Sequence, residues 1–121
     1  MKINIKTTGV KLTPALEQYL SHKLSKIKNQ IDESAGEAIA GVEIGKTTEH
    51  HRRGELFKAE LTLDIPGQAL SRSVAVEYDL YTAIDAMKAE ILSQIKTKKG
   101  KEITLFRKGA RQMKNILRGW R

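Results

Sequence analysis

Hydrophobic residues recur along this chain with two periods, two and about 3.6, which predict strands and helices respectively. Ile3 and Ile5 alternate with polar neighbours and predict a short first strand. Thr13 and Pro14 fit the N-cap and the first position of a helix. Apolar residues then recur at helical spacing and predict a first helix over residues 14–30: Leu16, Leu20, Leu24, Ile27 and Ile31.

Two later stretches alternate and predict the second and third strands. Val42 and Ile44 alternate with Glu43 and Gly45, and the glycine indicates a twisted or bulged strand. The third strand has the clearest pattern, since inward apolar residues alternate with outward polar ones: Phe57, Ala59, Leu61, Leu63 and Ile65 against Lys58, Glu60, Thr62 and Asp64. Such alternation is typical of a sheet with one solvated face.

A turn and a second helix follow. Pro66 and Gly67 fit the two central positions of a type II turn, so residues 70–76 are predicted to return as an antiparallel strand. Asp79 fits the N-cap of a second helix that ends near Gly100. Its apolar stripe consists of Leu80, Ile84, Met87, Ile91 and Ile95.

The predicted element order is therefore β-α-β-β-β-α. Each helix has one apolar stripe and the sheet has one polar face, which favours an α+β fold in two layers. We expect a sandwich with both helices on one face of a four-stranded sheet. Residues 1–101 form this domain, and residues 102–121 form a basic amphipathic helical tail.

The charge of the chain is concentrated at its C-terminal end. Of 22 Lys and Arg in 121 residues, residues 98–121 hold 9 with a single acidic residue, Glu102, so the whole net charge of +8 lies there. A cationic segment attracts polyanions, and an amphipathic one also suits an anionic membrane or a protein partner. The candidate RNA-binding residues of the tail are Arg107, Lys108, Arg111, Lys114, Arg118 and Arg121.

The composition argues against several classes of site and function. The chain has no cysteine, which excludes disulfides and thiolate metal sites and favours a reducing cytoplasm. Its three histidines, His22, His50 and His51, lack metal-ligand spacing. No catalytic or phosphate-loop motif is present. We expect no enzyme activity, cofactor, metal or small-molecule substrate, and no membrane-spanning segment.

Basic residues outside the tail form the candidate RNA-binding set. The helices contribute Lys23, Lys26, Lys28, Lys88, Lys96, Lys98, Lys99 and Lys101. A predicted loop over residues 47–54 contributes His50, His51, Arg52 and Arg53. If both helices lie on one face, their lysines can form a track for phosphates. The alternative is that these residues belong to solvated helix faces and a solvated turn.

Three segments resemble one protein family. They are Thr13-Pro14-Ala15-Leu16 through Tyr19, Lys23-Leu24-Ser25-Lys26-Ile27, and Asp79-Leu80-Tyr81-Thr82-Ala83-Ile84-Asp85 followed by Gln94 and Lys99. The chain resembles, over residues 1–101, the ribosome hibernation promoting factor family, which includes ribosome-associated inhibitor A and the sigma-54 modulation proteins.

The resemblance implies a fold like that of double-stranded-RNA-binding domains. It also implies a cytoplasmic, ribosome-associated factor that binds the decoding region of the small ribosomal subunit through 16S ribosomal RNA and blocks the messenger and transfer RNA sites. Lys23 and Lys26, with Lys99 and Lys101, match basic positions of the family. Tyr81, together with Ala83 and Ile84, is expected to seat the second helix on the sheet.

The chain departs from the family pattern in three respects. Glu90 and Leu92 stand where relatives commonly have Lys and a polar or small residue, so the middle of the second helix is expected to contribute less to binding. The chain is too short for the second domain that pairs ribosomes in long members, so no dedicated dimerisation domain is expected. The basic tail does not match the family. Alternative functions are a general double-stranded-RNA-binding or basic scaffold protein, and a peripheral membrane factor acting through the tail.

Overall fold

The fold comprises four strands and two helices. The computed structural model describes residues 1–51 and 54–118, with side chains for residues 1–47 and 54–100. In chain order the elements are β1 (Lys2–Thr8), α1 (Pro14–Lys28), β2 (Ile39–His51), β3 (Gly54–Asp64), β4 (Ser71–Glu77) and α2 (Leu80–Arg118). The predicted β-α-β-β-β-α order is confirmed.

The strands form one mixed sheet in the order β1-β2-β3-β4. β1 pairs with β2 in parallel, with Ile5 opposite Val42, and the other two pairs are antiparallel. A parallel pair requires a long crossover connection, and α1 lies in that connection. Val42 is in turn opposite Leu61 of β3, so apolar side chains from successive strands line the same face.

Both helices cover that apolar face, as predicted. The core joins residues of α1, α2, β2 and β3 with two loop positions in one buried cluster, and half-buried Ile5 of β1 and Ala75 of β4 pack against it. Its fully buried large side chains are Leu20, Leu24, Ile27, Ile44, Leu61, Leu63, Ile84, Met87 and Ile91. The two helix starts are capped as the sequence predicts. The Thr13 hydroxyl accepts the Leu16 amide at 3.2 Å, and the Asp79 carboxylate accepts the Thr82 amide at 3.0 Å.

Two glycines are required by the backbone. Gly67 has φ +82° in the turn between β3 and β4, and the Gln68 amide donates to the Ile65 carbonyl at 3.0 Å, which confirms the type II turn. Gly45 lies where β1 and β2 approach closely. A Cβ atom at this position would stand 2.1 Å from the Thr8 carbonyl oxygen, so a side chain requires the backbone to move.

α2 also contacts the outer edge of β4 through polar side chains. The Ser73 hydroxyl donates to the Met87 carbonyl at 2.9 Å, and the Gln94 amide group donates to the Arg72 carbonyl at 2.7 Å. The second bond occupies a backbone carbonyl of the edge strand that would otherwise be open to pairing.

Two boundaries predicted from the sequence are wrong. α2 does not end near Gly100 but continues to Arg118, because an interior glycine costs a helix only about 1 kcal/mol. Residues 47–51 are not a loop but part of β2, because they pair with the start of β3, where His50 is opposite Glu55. The register shifts between Lys46 and His50, which confirms the bulged second strand.

Candidate nucleic-acid interface

A groove runs between α1 and α2 on the outer side of the helix layer. We call it the inter-helix groove. It is lined by Lys23, Lys26, Asn29, Gln30, Asp85, Lys88, Ala89, Leu92 and Lys96. Leu92 packs against the core, and the lysines come from both helices.

Helical periodicity directs these lysines into the groove. Lys23 and Lys26 are three residues apart on α1, and Lys88 lies four residues before Leu92 and eight before Lys96 on α2. Side chains three or four residues apart share one helix face. Since the apolar stripes of both helices point to the sheet, their polar faces meet at the groove.

Positive charge accumulates in the middle of the groove. Partial burial and the nearby ammonium groups of Lys26 and Lys23 lower the pKa of Lys88. Within the part of the chain described with side chains, no carboxylate lies within ion-pair distance of Lys26, Lys88 or Lys96. A phosphate placed between these ammonium groups would relieve their mutual repulsion.

The opposite face of the sheet has a different charge balance. Glu60 pairs with Lys58 at 3.1 Å and with the Arg72 guanidinium across the two strands β3 and β4. Burial raises the pKa of Glu60, but the hydrogen bonds from Lys58 and Arg72 outweigh it and the net pKa is lowered. Lys58 and Arg72 on this face are therefore already neutralised, unlike Lys26 and Lys96.

One end of the groove holds a polar cluster that links the helices. The Tyr19 hydroxyl donates to Asp85 Oδ1 at 2.6 Å, and Lys23 Nζ lies 3.2 Å from the same oxygen. The Tyr19 ring meets Tyr81 edge-on at 4.8 Å, and Lys23 Nζ lies 4.9 Å from the Tyr19 ring centroid. Tyr81 is 39% exposed and packs on α1, so the expectation that it seats α2 on the sheet is wrong.

Lys98 and Lys99 lie at the other end of the helix pair and bond to the domain itself. Lys98 Nζ donates to the Ala69 carbonyl at 2.8 Å and to the Ser71 hydroxyl. Lys99 Nζ donates to the Gln30 carbonyl at 2.6 Å, just beyond α1, where a cation also complements the helix dipole. Both ammonium groups stabilise the junction of α2 with the rest of the domain.

The remaining candidate residues lie apart from the groove or beyond the described side chains. Lys28 is exposed at the end of α1, where its charge adds to the larger effect of the Ala38 amide in lowering the pKa of Glu33. His50 and His51 lie in β2. The α2 backbone contains Lys101, Arg107, Lys108, Arg111, Lys114 and Arg118. Arg52, Arg53 and Arg121 lie outside the described residues.

The link between Tyr19 and Asp85 was missed by the sequence reasoning. Both residues stand in segments that carry the family resemblance, but 66 positions separate them. Helical spacing relates neighbours on one helix and contains no information on which residues of two helices meet. Asn29 and Gln30, which also line the groove, were missed for the same reason.

Two other classes of site are absent from the described residues. No group of three or more His, Asp or Glu side chains there is arranged to hold a metal ion. None of the helices described is both long and apolar enough to cross a membrane.

The fold is thus a two-layer α+β domain whose pair of helices is lined with lysines. The sequence model of the family described as "Sigma 54 modulation protein / S30EA ribosomal protein" matches residues 3–103. The chain belongs to this family. Residues 104–121 lie outside the match.

Similar proteins agree with this assignment. The chain is 30% identical over 110 residues to the ribosome hibernation promoting factor of Pseudomonas putida, covering 91% of this chain and 98% of that protein. The N-terminal domain of Thermus thermophilus Protein Y is 28% identical with a TM-score of 0.65, covering 80% of this chain and 98% of that one. A ribosomal subunit interface protein from Coxiella burnetii, 17% identical with a TM-score of 0.65, covers 83% of this chain and 99% of its own and shares the fold.

Proposed function

We propose that this protein is a cytoplasmic ribosome hibernation factor. It binds the decoding region of the small ribosomal subunit through 16S ribosomal RNA and occupies the messenger and transfer RNA sites. Binding alone blocks translation, and no chemical step is involved. Family membership supports the proposal, as does a ribosome hibernation promoting factor whose length the chain spans almost completely.

The inter-helix groove is the observation that carries the proposal. Lys26, Lys88 and Lys96 converge there without carboxylate partners among the described side chains, whereas Lys58 and Arg72 on the open sheet face are paired with Glu60. Ammonium groups on the two rims of the groove can bind successive phosphates of an RNA backbone. A packed pair of helices can recognise RNA by its shape and backbone.

The C-terminal part of α2 supplies a second anchor in this proposal. Residues 102–118 continue the same helix, and the segment beyond residue 103 is outside the family match. Its cationic residues would add phosphate contacts that the family domain alone does not make.

Sedimentation with isolated ribosomal subunits tests the proposal. We expect stoichiometric binding to the small subunit, and competition with transfer RNA. A triple variant, K26Q/K88Q/K96Q, removes the groove cations and should bind more weakly. The slope of log affinity against log salt concentration should become shallower by about two to three. The control K2Q/K6Q/K11Q removes the same charge from exposed positions outside the groove and should bind as the wild type does.

Two outcomes would contradict the proposal. Sedimentation with neither subunit would reject ribosome binding. Equal affinity for small subunits and for an arbitrary RNA duplex, without competition from transfer RNA, would instead indicate a general double-stranded-RNA-binding protein.

A further inference from the structure

Asp85 is the acidic residue that lines the inter-helix groove. It projects from the second turn of α2 and contacts two groups of α1 through one oxygen. The Tyr19 hydroxyl lies 2.6 Å from Asp85 Oδ1 and Lys23 Nζ lies 3.2 Å from it. An acid in a surface that otherwise collects lysines requires an explanation, because it weakens attraction to phosphate.

Lys23 is held differently from the other groove lysines. Its side chain is 19% exposed, and its ammonium lies against both Asp85 and the Tyr19 ring. The Asp85 side chain is 51% exposed and lines the groove beside Lys88. The charge of Lys23 is thus compensated inside the protein, whereas the charge of Asp85 remains accessible to an incoming anion.

We propose that Asp85 is a specificity-determining residue of the groove. By holding Lys23 away from phosphate and placing a negative charge beside Lys88, it weakens binding of RNA that offers charge alone. Non-specific binding depends on the number of phosphates neutralised, so the removal of one available cation lowers it directly. RNA that also fits the shape of the helix pair keeps its other contacts. The negative charge of Asp85 therefore widens the difference in affinity between RNA that fits and RNA that does not. This inference rests on the proposed binding of RNA at the groove.

The competing interpretation is that Asp85 only ties the two helices together. The substitution Asp85→Asn separates the two interpretations, since the amide oxygen can still accept from the Tyr19 hydroxyl but no longer holds Lys23 by its charge. Tyr19→Phe makes the complementary change. It removes one bond of the tie and leaves the Lys23–Asp85 pair in place.

The test measures how affinity for a short RNA duplex of arbitrary sequence falls with salt. D85N should release Lys23 to a phosphate and steepen the logarithmic slope by about 0.9. K23Q should leave the slope unchanged, and K23Q/D85N should restore the wild-type slope. Y19F should also match the wild type. The control D64N removes an exposed acid outside the groove and should not change the slope.

Three results would overturn the inference. One slope shared by D85N and D64N would deny Asp85 any influence on the phosphate count. A slope shallower by about 0.9 in K23Q would show that Lys23 already contacts phosphate in the wild type. A steeper slope in Y19F, with unfolding transitions unchanged, would assign the effect to the tie between the helices.

A parallel measurement with small ribosomal subunits gives the specificity itself. The ratio of subunit affinity to duplex affinity should fall in D85N by several-fold relative to the wild type and D64N. An unchanged ratio would contradict the inference. If the wild type binds no subunits, the proposed function fails, and the duplex slopes still decide whether Asp85 restrains Lys23.

Discussion

At the scale of single residues, the two glycines Gly45 and Gly100 have opposite surroundings. A Cβ atom on Gly45 would collide with the Thr8 backbone at 2.1 Å, whereas nothing lies within 4 Å of one on Gly100. The first glycine is required by the close approach of two strands. The second is an interior helix position where alanine is the better residue.

We predict opposite stability changes for the two alanine substitutions. Gly45→Ala should destabilise the protein by about 1–3 kcal/mol, the usual cost of overpacking. Gly100→Ala should stabilise it by up to about 1 kcal/mol through helix propensity. Chemical denaturation measures both free energies of unfolding. A neutral Gly45→Ala would show that β1 can move away from β2 at no cost.

The second prediction at this scale concerns acid. The Tyr19 hydroxyl, followed by Lys23, lowers the pKa of Asp85 below the ordinary 3.8. A lowered carboxyl pKa contributes stability that is complete above the ordinary value and is lost as the pH falls through the folded one. D85N should therefore be less stable than the wild type at neutral pH, and the difference should shrink below pH 3.8.

Denaturation of both proteins across the acid range measures this difference. The wild type should lose further stability in the same range through Asp32 and Glu33, whose pKa values are lowered mainly by the backbone amides of Ser34 and Ala38. D85N retains those groups. Only the additional stability that the wild type loses in acid, compared with D85N, therefore belongs to Asp85. A constant difference down to pH 2 would contradict the assignment.

At the scale of elements, α2 and β4 are joined by a buried hydroxyl. Ser73 is 2% exposed and donates to the Met87 carbonyl at 2.9 Å. Ser73→Ala should cost about 0.5–1.5 kcal/mol in the free energy of unfolding, the net value of one buried hydrogen bond. The exposed Ser21→Ala on α1 is the control and should change stability by less than about 0.5 kcal/mol. Equal effects would deny the bond a role in stability.

The elements also show what the sequence can predict. The helices, the hairpin and the core stripes were predicted because each rests on local spacing or turn chemistry, as in the alternation from Phe57 to Ile65. The end of α2 was predicted wrongly because the helix propensity of Gly100 is a small term. The extent of β2 depended on pairing with β3, which local spacing does not contain.

The candidate site was only partly predictable for the same reason. Lysines on the polar faces of two helices could be assigned to a common surface once both stripes faced one sheet. The partners of Lys98 and Lys99 could not be predicted, because they are the carbonyl groups of Ala69 and Gln30, which lie far away in the sequence. Asp85 was likewise seen as part of a motif and not as a partner of Tyr19 and Lys23.

At the scale of the whole molecule, we treat the packed domain and the basic extension as separate units. Among the side chains that the structure describes, the last core residue of α2 is Ile95, and the bonds of Lys98 and Lys99 come before residue 101. We predict that truncation after Lys101 leaves the unfolding transition unchanged and weakens RNA binding. The salt slope should become shallower by up to about 5, since six Lys and Arg are removed.

Thermal unfolding and salt titration of the truncated protein check the two parts separately. An unchanged slope would reject the second anchor. A lowered melting temperature would show that the extension contributes to the fold of the domain.

Because α2 is one continuous helix, it fixes the distance and the angle between the groove lysines and the basic residues beyond residue 101. One helix of 39 residues is about 58 Å long at 1.5 Å per residue. Lys96 and Lys114 lie on it 18 residues apart, about 27 Å along the axis and five whole turns around it. Their Cα atoms therefore leave the axis in the same direction. Inserting one residue after Gly100 would rotate everything downstream by about 100°, so the length of this junction sets the angle between the two basic parts of the helix.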